Sequence, residues 1–168
     1  KTQFGAKDVV CVYNPCDVES IRRLAKEPLP ADSQKFFDEG APVVAAMGRE
    51  HDVKGFWHLI KAFALAKKKI PALKLMIVGE GTFAEYRKLA EDLQVEQDVW
   101  FTGMQKNPFA YLKQASLFVM TSVSEGFPNS LIEAMAVGIP AMSVNCKTGP
   151  AEIFLDDYRK GGDGHTVI

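Results

Sequence analysis

From Val43 onward the chain repeats one phrase: a short continuous apolar run, a turn, and a longer segment of mixed polarity. The apolar runs Val43 to Met47, Leu73 to Val78, Val99 to Phe101, Leu117 to Thr121 and Ala141 to Val144 predict strands. Segments near Phe56 to Lys69, Ala84 to Leu93, Pro108 to Gln114 and Asn129 to Val137 predict the helices between them. Strands that are apolar throughout, rather than at alternate positions, are covered on both faces, as in a parallel sheet. Strand and helix alternating at this spacing predict an α/β, doubly wound parallel sheet with ligands beyond the C-terminal strand ends. Three of those ends carry glycine: Met47-Gly48-Arg49, Val78-Gly79-Glu80-Gly81, and the turn from Thr121 to Pro128. Backbone can approach a ligand closely at such positions, so the three are expected to converge on one crevice.

The first forty residues follow a different pattern. Val9 to Tyr13 predicts a short strand, Asn14-Pro15 a turn, and Asp17 the N-cap of a helix running to about Lys26. Glu27-Pro28-Leu29-Pro30 reads as linker, since two prolines in three residues continue neither helix nor inner strand. Residues 1–41 are therefore expected to be a connector and residues 42–168 the compact domain. The chain starts without Met and ends on the β-prone run Thr166-Val167-Ile168, which predicts a piece of something longer, truncated at its C-terminus.

Composition narrows the functional classes. A hydrophobic content of 47% supports a full core, and 20 basic against 21 acidic residues leave no basic field to recruit nucleic acid. No apolar run approaches the length of a membrane span, and Lys1 to Gly5 lacks the pattern of a signal peptide. Cys11, Cys16 and Cys146 are odd in number and contain no Cys-x-x-Cys pair. That usage fits a reducing, cytoplasmic setting better than a disulfide framework or structural zinc.

The chemistry concentrates between Ser122 and Gly138. Pro128 suits a first helical position and Gly138 a helix stop, which predicts a helix whose opening amides at Asn129, Ser130 and Leu131 offer an anion site. Asn129, Ser130 and Glu133 are its only polar residues and share one stripe. Glu133 has two readings: a carboxylate meeting donors such as sugar hydroxyls, or the mark of a solvent-facing edge. Across the crevice, Arg49 and Lys54 stand on a glycine-bounded loop, Gly48 to Gly55. If they face the helix start, a diphosphate fits between them; otherwise they are solvated loop charges. Each cation at contact contributes roughly 4 kcal/mol of attraction at an effective dielectric of ~20, before desolvation, against ~0.3–1 kcal/mol for the helix end. The cations would set affinity and the amides pose.

Gly79-Glu80-Gly81-Thr82-Phe83-Ala84 fits the G-x-G-x-x-[GA] fingerprint of dinucleotide sites. That fingerprint requires an acid at the end of the next strand, where Thr102-Gly103-Met104 stands instead, so a tight turn beside the ligand is the better reading. There is no Asp-x-Asp clamp for a divalent ion, and His51, His58 and His165 lack metal spacing; no metal is expected. The turn Thr148 to Glu152 is expected to bring Glu152 near the crevice in a minor role.

Taken together, Gly48-Arg49 with Lys54-Gly55, Val78 to Gly81, Phe101-Thr102-Gly103, and Glu125 to Ala134 with Gly138-Ile139-Pro140 resemble the donor-binding half of family 4 retaining glycosyltransferases. Glu125 and Glu133 stand as in that family's Glu-x7-Glu motif, and Tyr13 to Asp17 is similar to the stretch joining its two halves. The resemblance covers about Val43 to Ile153. It implies a Rossmann-like domain forming the C-terminal half of a GT-B fold, with a UDP- or GDP-sugar as substrate and no cofactor. By resemblance, Arg49 and Lys54 contact the donor diphosphate, Glu125 touches the transferred sugar, and Glu133 binds the ribose hydroxyls. Gly48, Gly79, Gly81, Gly126, Phe127, Pro128, Asn129, Ser130 and Leu131 complete the donor site. Met104 joins them from the Gly103 to Gln105 loop, whose main chain is expected to read the base. The implied partners are the nucleotide-sugar donor and an absent N-terminal acceptor domain, through which alone any contact with the inner membrane face would run. Alternatives on the same frame are a sugar-nucleotide epimerase and a non-catalytic interaction module.

Overall fold

The computed structural model describes residues 12–37, 40–156 and 162. Five strands, β1 (Val43–Met47), β2 (Lys74–Val78), β3 (Val99–Gly103), β4 (Leu117–Met120) and β5 (Ala141–Ser143), form one wholly parallel sheet in the order β3-β2-β1-β4-β5. The chain builds outward from β1 to β3, then crosses to the far side of β1 to lay down β4. That reversal leaves a crevice beyond the C-terminal ends of β1 and β4, where neighbouring connections depart to opposite faces.

Both faces are covered, as the apolar runs predict. Along β2, Leu75 and Ile77 pack on one side with Phe56, Ile60 and Phe63 of α3 (Phe56–Lys67) and Tyr86 of α4 (Ala84–Asp92). Met76 and Val78 pack on the other with Leu112 of α5 (Pro108–Leu112) and Leu131 and Ala134 of α6 (Asn129–Val137). Successive side chains of a strand point to opposite faces, so four consecutive buried residues serve two separate cores. Along α6, Leu131 and Ala134 are fully buried while Met135 reaches solvent.

The predicted N-terminal helix is α1 (Val18–Leu24), with Asp17 accepting a hydrogen bond from the Ser20 amide at 3.0 Å. Its Ile21, with Ala25 just beyond, is buried in the same core as α5 and α6. Asn107 reinforces that packing by donating to the Leu24 carbonyl at 2.9 Å. The Pro28-Pro30 segment leads into a further single-turn helix, α2 (Ala31–Gln34), which prolines on its N-terminal side concealed from pattern reading. Phe36 and Phe37 then close on Trp100 at the sheet edge. The strand expected over Val9 to Tyr13 lies mostly outside the described residues, and Val12 and Tyr13 have no regular structure. Cys11, His165 and the run Thr166 to Ile168 also lie outside them. Among the described residues, no helix is long and apolar enough to cross a membrane.

Candidate functional site

The loop after β1 is fixed from below. The amides of Gly48 and Glu50 donate to the Val78 and Glu80 carbonyls at 2.9 and 2.7 Å, joining it to the turn after β2. One carboxylate oxygen of Glu50 accepts from the amides of Thr82 and Phe83, at 2.8 and 2.9 Å, at the threshold of α4. The anion position of the G-x-G-x-x-[GA] turn is thus filled by the protein's own side chain. A Cβ on Gly79 would sit 1.9 Å from the Gly48 carbonyl oxygen, and one on Gly81 would sit 2.3 Å from the Glu50 Cβ. These two glycines admit a neighbouring loop. Neither is among the residues lining the cleft between this loop and α6.

A 3-10 turn, Asp52–Lys54, carries the loop on to Gly55, at φ +60°. There it is joined to the connection after β4: the Thr121 hydroxyl donates to the Lys54 carbonyl at 3.1 Å, and the Val123 amide to the Val53 carbonyl at 2.9 Å. The Lys54 stem lies over Gly48, and its ammonium meets the Glu125 carboxylate at 2.7 Å. Both side chains are largely covered, 21% and 12% exposed. Sequence reading assigns the two residues different ligand groups and gives no hint of this ion pair.

The turn from Glu125 to Pro128 rests on the loop after β5. The Thr148 hydroxyl donates to the Glu125 carbonyl, and a Cβ on Gly149 would meet the Pro128 ring at 2.5 Å. Pro128 is the N-cap of α6 and not its first helical residue, with φ −76° and ψ 101°. In a further correction, the Leu131 amide bonds back to the Pro128 carbonyl at 3.2 Å, and its side chain is fully buried. The amides left to an anion are those of Asn129 and Ser130.

These elements enclose a cleft of about 390 Å³. Gly48, Arg49 and Lys54 line one side, and Glu125, Phe127, Pro128, Asn129, Ser130 and Glu133 the other. The early cations and the late helix start therefore share one crevice. Met104 is not brought to it; it stands 78% exposed on the connection after β3. Gly126 is open to solvent on the turn itself.

A second cleft, of about 270 Å³, shares Asn129 and Glu133 with the first and is walled by Asn14, Cys16, Asp17, Ser20 and Phe109. The entering chain crosses between them. The Asn14 amide group donates to the Asn129 side chain at 3.1 Å, and Tyr13 stacks on Phe127 with ring centroids 4.5 Å apart. The Tyr13 hydroxyl donates to the carboxylate of Glu152, on α7 (Pro150–Leu155). Tyr13 and Asn14 belong to this site, and the only sequence signal for them is the resemblance of Tyr13 to Asp17 to a connector.

Glu133 sits at the junction of the two clefts, half-buried and away from the edge reading. Burial pushes its carboxyl above the ordinary range. The Cys16 thiol is also raised, by its own burial and then by the charges of Glu133 and Asp17. A carboxyl raised by burial holds its proton to higher pH in the native chain than in the unfolded one. Native stability is therefore greatest below the unfolded value and falls as pH rises through the native one. Glu133→Gln is expected to raise the melting temperature at pH 7.5, with the gain vanishing as pH drops below about 4. A gain independent of pH in thermal melts would separate the effect from Glu133 ionisation.

The model of the family described as glycosyl transferases group 1 matches residues 30–162. This chain belongs to that family. It is a group 1 glycosyltransferase domain with an α/β, Rossmann-like sheet. It is 38% identical over 147 residues to an uncharacterized glycosyltransferase of Methanocaldococcus jannaschii, an alignment covering 87% of this chain and 36% of the relative. It is 35% identical over 155 residues to the N-acetylgalactosamine-N,N'-diacetylbacillosaminyl-diphospho-undecaprenol 4-alpha-N-acetylgalactosaminyltransferase of Campylobacter jejuni, covering 92% of this chain and 40% of that enzyme. Among solved structures, Anabaena HepE in complex with UDP-glucose superposes with a TM-score of 0.66 at 25% identity, over 84% of this chain and 39% of HepE. The group 1 domain described here thus spans less than half the length of these relatives.

Proposed function

We propose that this chain binds the nucleotide-sugar donor for a family 4 retaining glycosyltransferase of the GT-B type that acts in polysaccharide or glycan assembly. The observation that carries the reading is the shared cleft: Arg49 and Lys54 on one side, and the Asn129 and Ser130 amides on the other, enclose a space for one diphosphate. Negative charge grows on a leaving diphosphate as a glycosidic bond breaks, and fixed cations with a helix start stabilise that charge without reorganising. In this reading Glu125 faces the transferred sugar. Glu133, half-buried and with no hydrogen-bond partner among the described residues, accepts from the ribose hydroxyls. The site is read as metal-independent. HepE, whose structure holds UDP-glucose, supports a UDP-sugar over other donors. In this reading acceptor binding belongs to the remainder of a protein as long as the relatives, of which the chain spans less than half, and the 168 residues transfer no sugar alone.

The test is a thermal-shift and calorimetric panel of UDP, GDP, their nucleosides and inorganic pyrophosphate. A ligand that binds the native state raises apparent stability with the logarithm of its concentration relative to its Kd. One nucleoside diphosphate is expected to stabilise the chain, with its nucleoside giving a much smaller shift. Absence of any shift with UDP, GDP and pyrophosphate alike would refute the donor site.

A further inference from the structure

We infer that Glu125 is a resident counter-ion for Lys54: a donor diphosphate must displace it, and its return helps to expel the spent diphosphate. This rests on the donor-site reading and adds to it a reason for preferring sugar-loaded over sugar-free nucleotide.

The ion pair is short, at 2.7 Å, and largely screened from solvent. The backbone at both ends is held in place, Lys54 by the Thr121 hydroxyl on the connection that carries Glu125, and Glu125 by the Thr148 hydroxyl. Neither loop has to move for the pair to part; rotation about side-chain bonds suffices. Arg49 is exposed and forms no ion pair among the described residues, so it offers an arriving phosphate its first contact. Lys54 is reached only in competition with Glu125. An ammonium has three donors and can touch both anions, but a phosphate set beside a carboxylate that has lost part of its neutralisation is repelled by it.

A nucleotide-sugar offsets that repulsion, because sugar hydroxyls donate to Glu125 as Lys54 turns to phosphate. A bare diphosphate brings no such donors. Once the sugar has been transferred, Glu125 again lies beside an anion with nothing to accept from except Lys54. Re-formation of the ion pair and departure of the diphosphate are then one exchange. Glu125 thereby acts on specificity and release as well as on the sugar.

Calorimetry with inorganic pyrophosphate tests this without needing to know the base. Glu125→Gln is expected to bind pyrophosphate about tenfold more tightly than the wild-type chain, an effect of about 1.4 kcal/mol. The gain should disappear when Lys54→Ala is also present, and the preference for UDP-glucose over UDP should shrink by a similar factor. Glu125→Asp, which withdraws the carboxylate by one methylene, should give a smaller gain and covers the case in which the Gln variant does not fold. Unchanged or weaker pyrophosphate binding in both variants overturns the inference. So does an equal gain in the Lys54→Ala background, which would reflect only the loss of a nearby negative charge. If binding is Lys54-dependent yet indifferent to Glu125, the counter-ion falls and the donor site stands. If neither wild type nor variants bind pyrophosphate, UDP or GDP, both fall.

Discussion

Lys54→Ala is expected to weaken binding of the cognate nucleoside diphosphate by about a hundredfold, while binding of the nucleoside alone changes by less than about twofold. A cation at contact with a phosphate contributes roughly 4 kcal/mol at an effective dielectric of ~20, part of which is returned as desolvation. The ion pair takes back a further part of that attraction, because the ligand must draw Lys54 away from Glu125. About 2.7 kcal/mol surviving both losses corresponds to a hundredfold. A nucleoside carries no phosphate to feel the change. Calorimetric titration of both ligands into both proteins checks the difference, and equal losses for nucleoside and nucleoside diphosphate would remove Lys54 from the phosphate position.

Gly55→Ala is expected to destabilise the junction between the loops after β1 and β4. At φ +60° an L-residue is strained by roughly 1–2 kcal/mol, and the added Cβ would lie 2.2 Å from the Thr121 carbonyl oxygen, a backbone atom that cannot swing aside. Relieving such a contact by backbone movement costs a further ~1–3 kcal/mol. At about 2–4 °C per kcal/mol for a domain of this size, the melting temperature is expected to fall by roughly 4–20 °C. Gly103→Ala is the control. Gly103 also has positive φ, at +71°, but its added Cβ meets nothing within 4 Å, so only the conformational cost applies. Thermal melts of the two variants should differ accordingly. Equal losses would mean that the junction between the loops after β1 and β4 yields readily.

Much of the frame was legible because its cause is local. Uninterrupted apolar strands such as Leu75 to Val78, Asp17 before α1 and Gly138 after α6 act through neighbours in sequence, and the predicted elements match the observed ones to within a few residues. The gathering of Arg49, Lys54, Asn129 and Glu133 was also foreseeable, because a doubly wound sheet sends its C-terminal strand ends to one crevice. What escaped depends on partners distant in sequence. No local pattern shows that Glu50 holds the turn before α4, that Glu125 pairs with Lys54, or that Tyr13 lies on Phe127. Gly79 and Gly81 illustrate the ambiguity, since room for a ligand and room for a neighbouring loop call for the same residue. Met104, on the loop expected to read the base, stands 78% exposed and is not among the residues lining the cleft.

The Glu50 carboxylate at the start of α4 has a bearing on how many phosphate ligands the domain can accept. Glycine-bearing turns lead from strand to helix at several places on this rim, and a stopper built into the chain occupies the one after β2. A diphosphate approaching the rim therefore finds the amides after β2 already taken and is left to the loop after β1 and the start of α6.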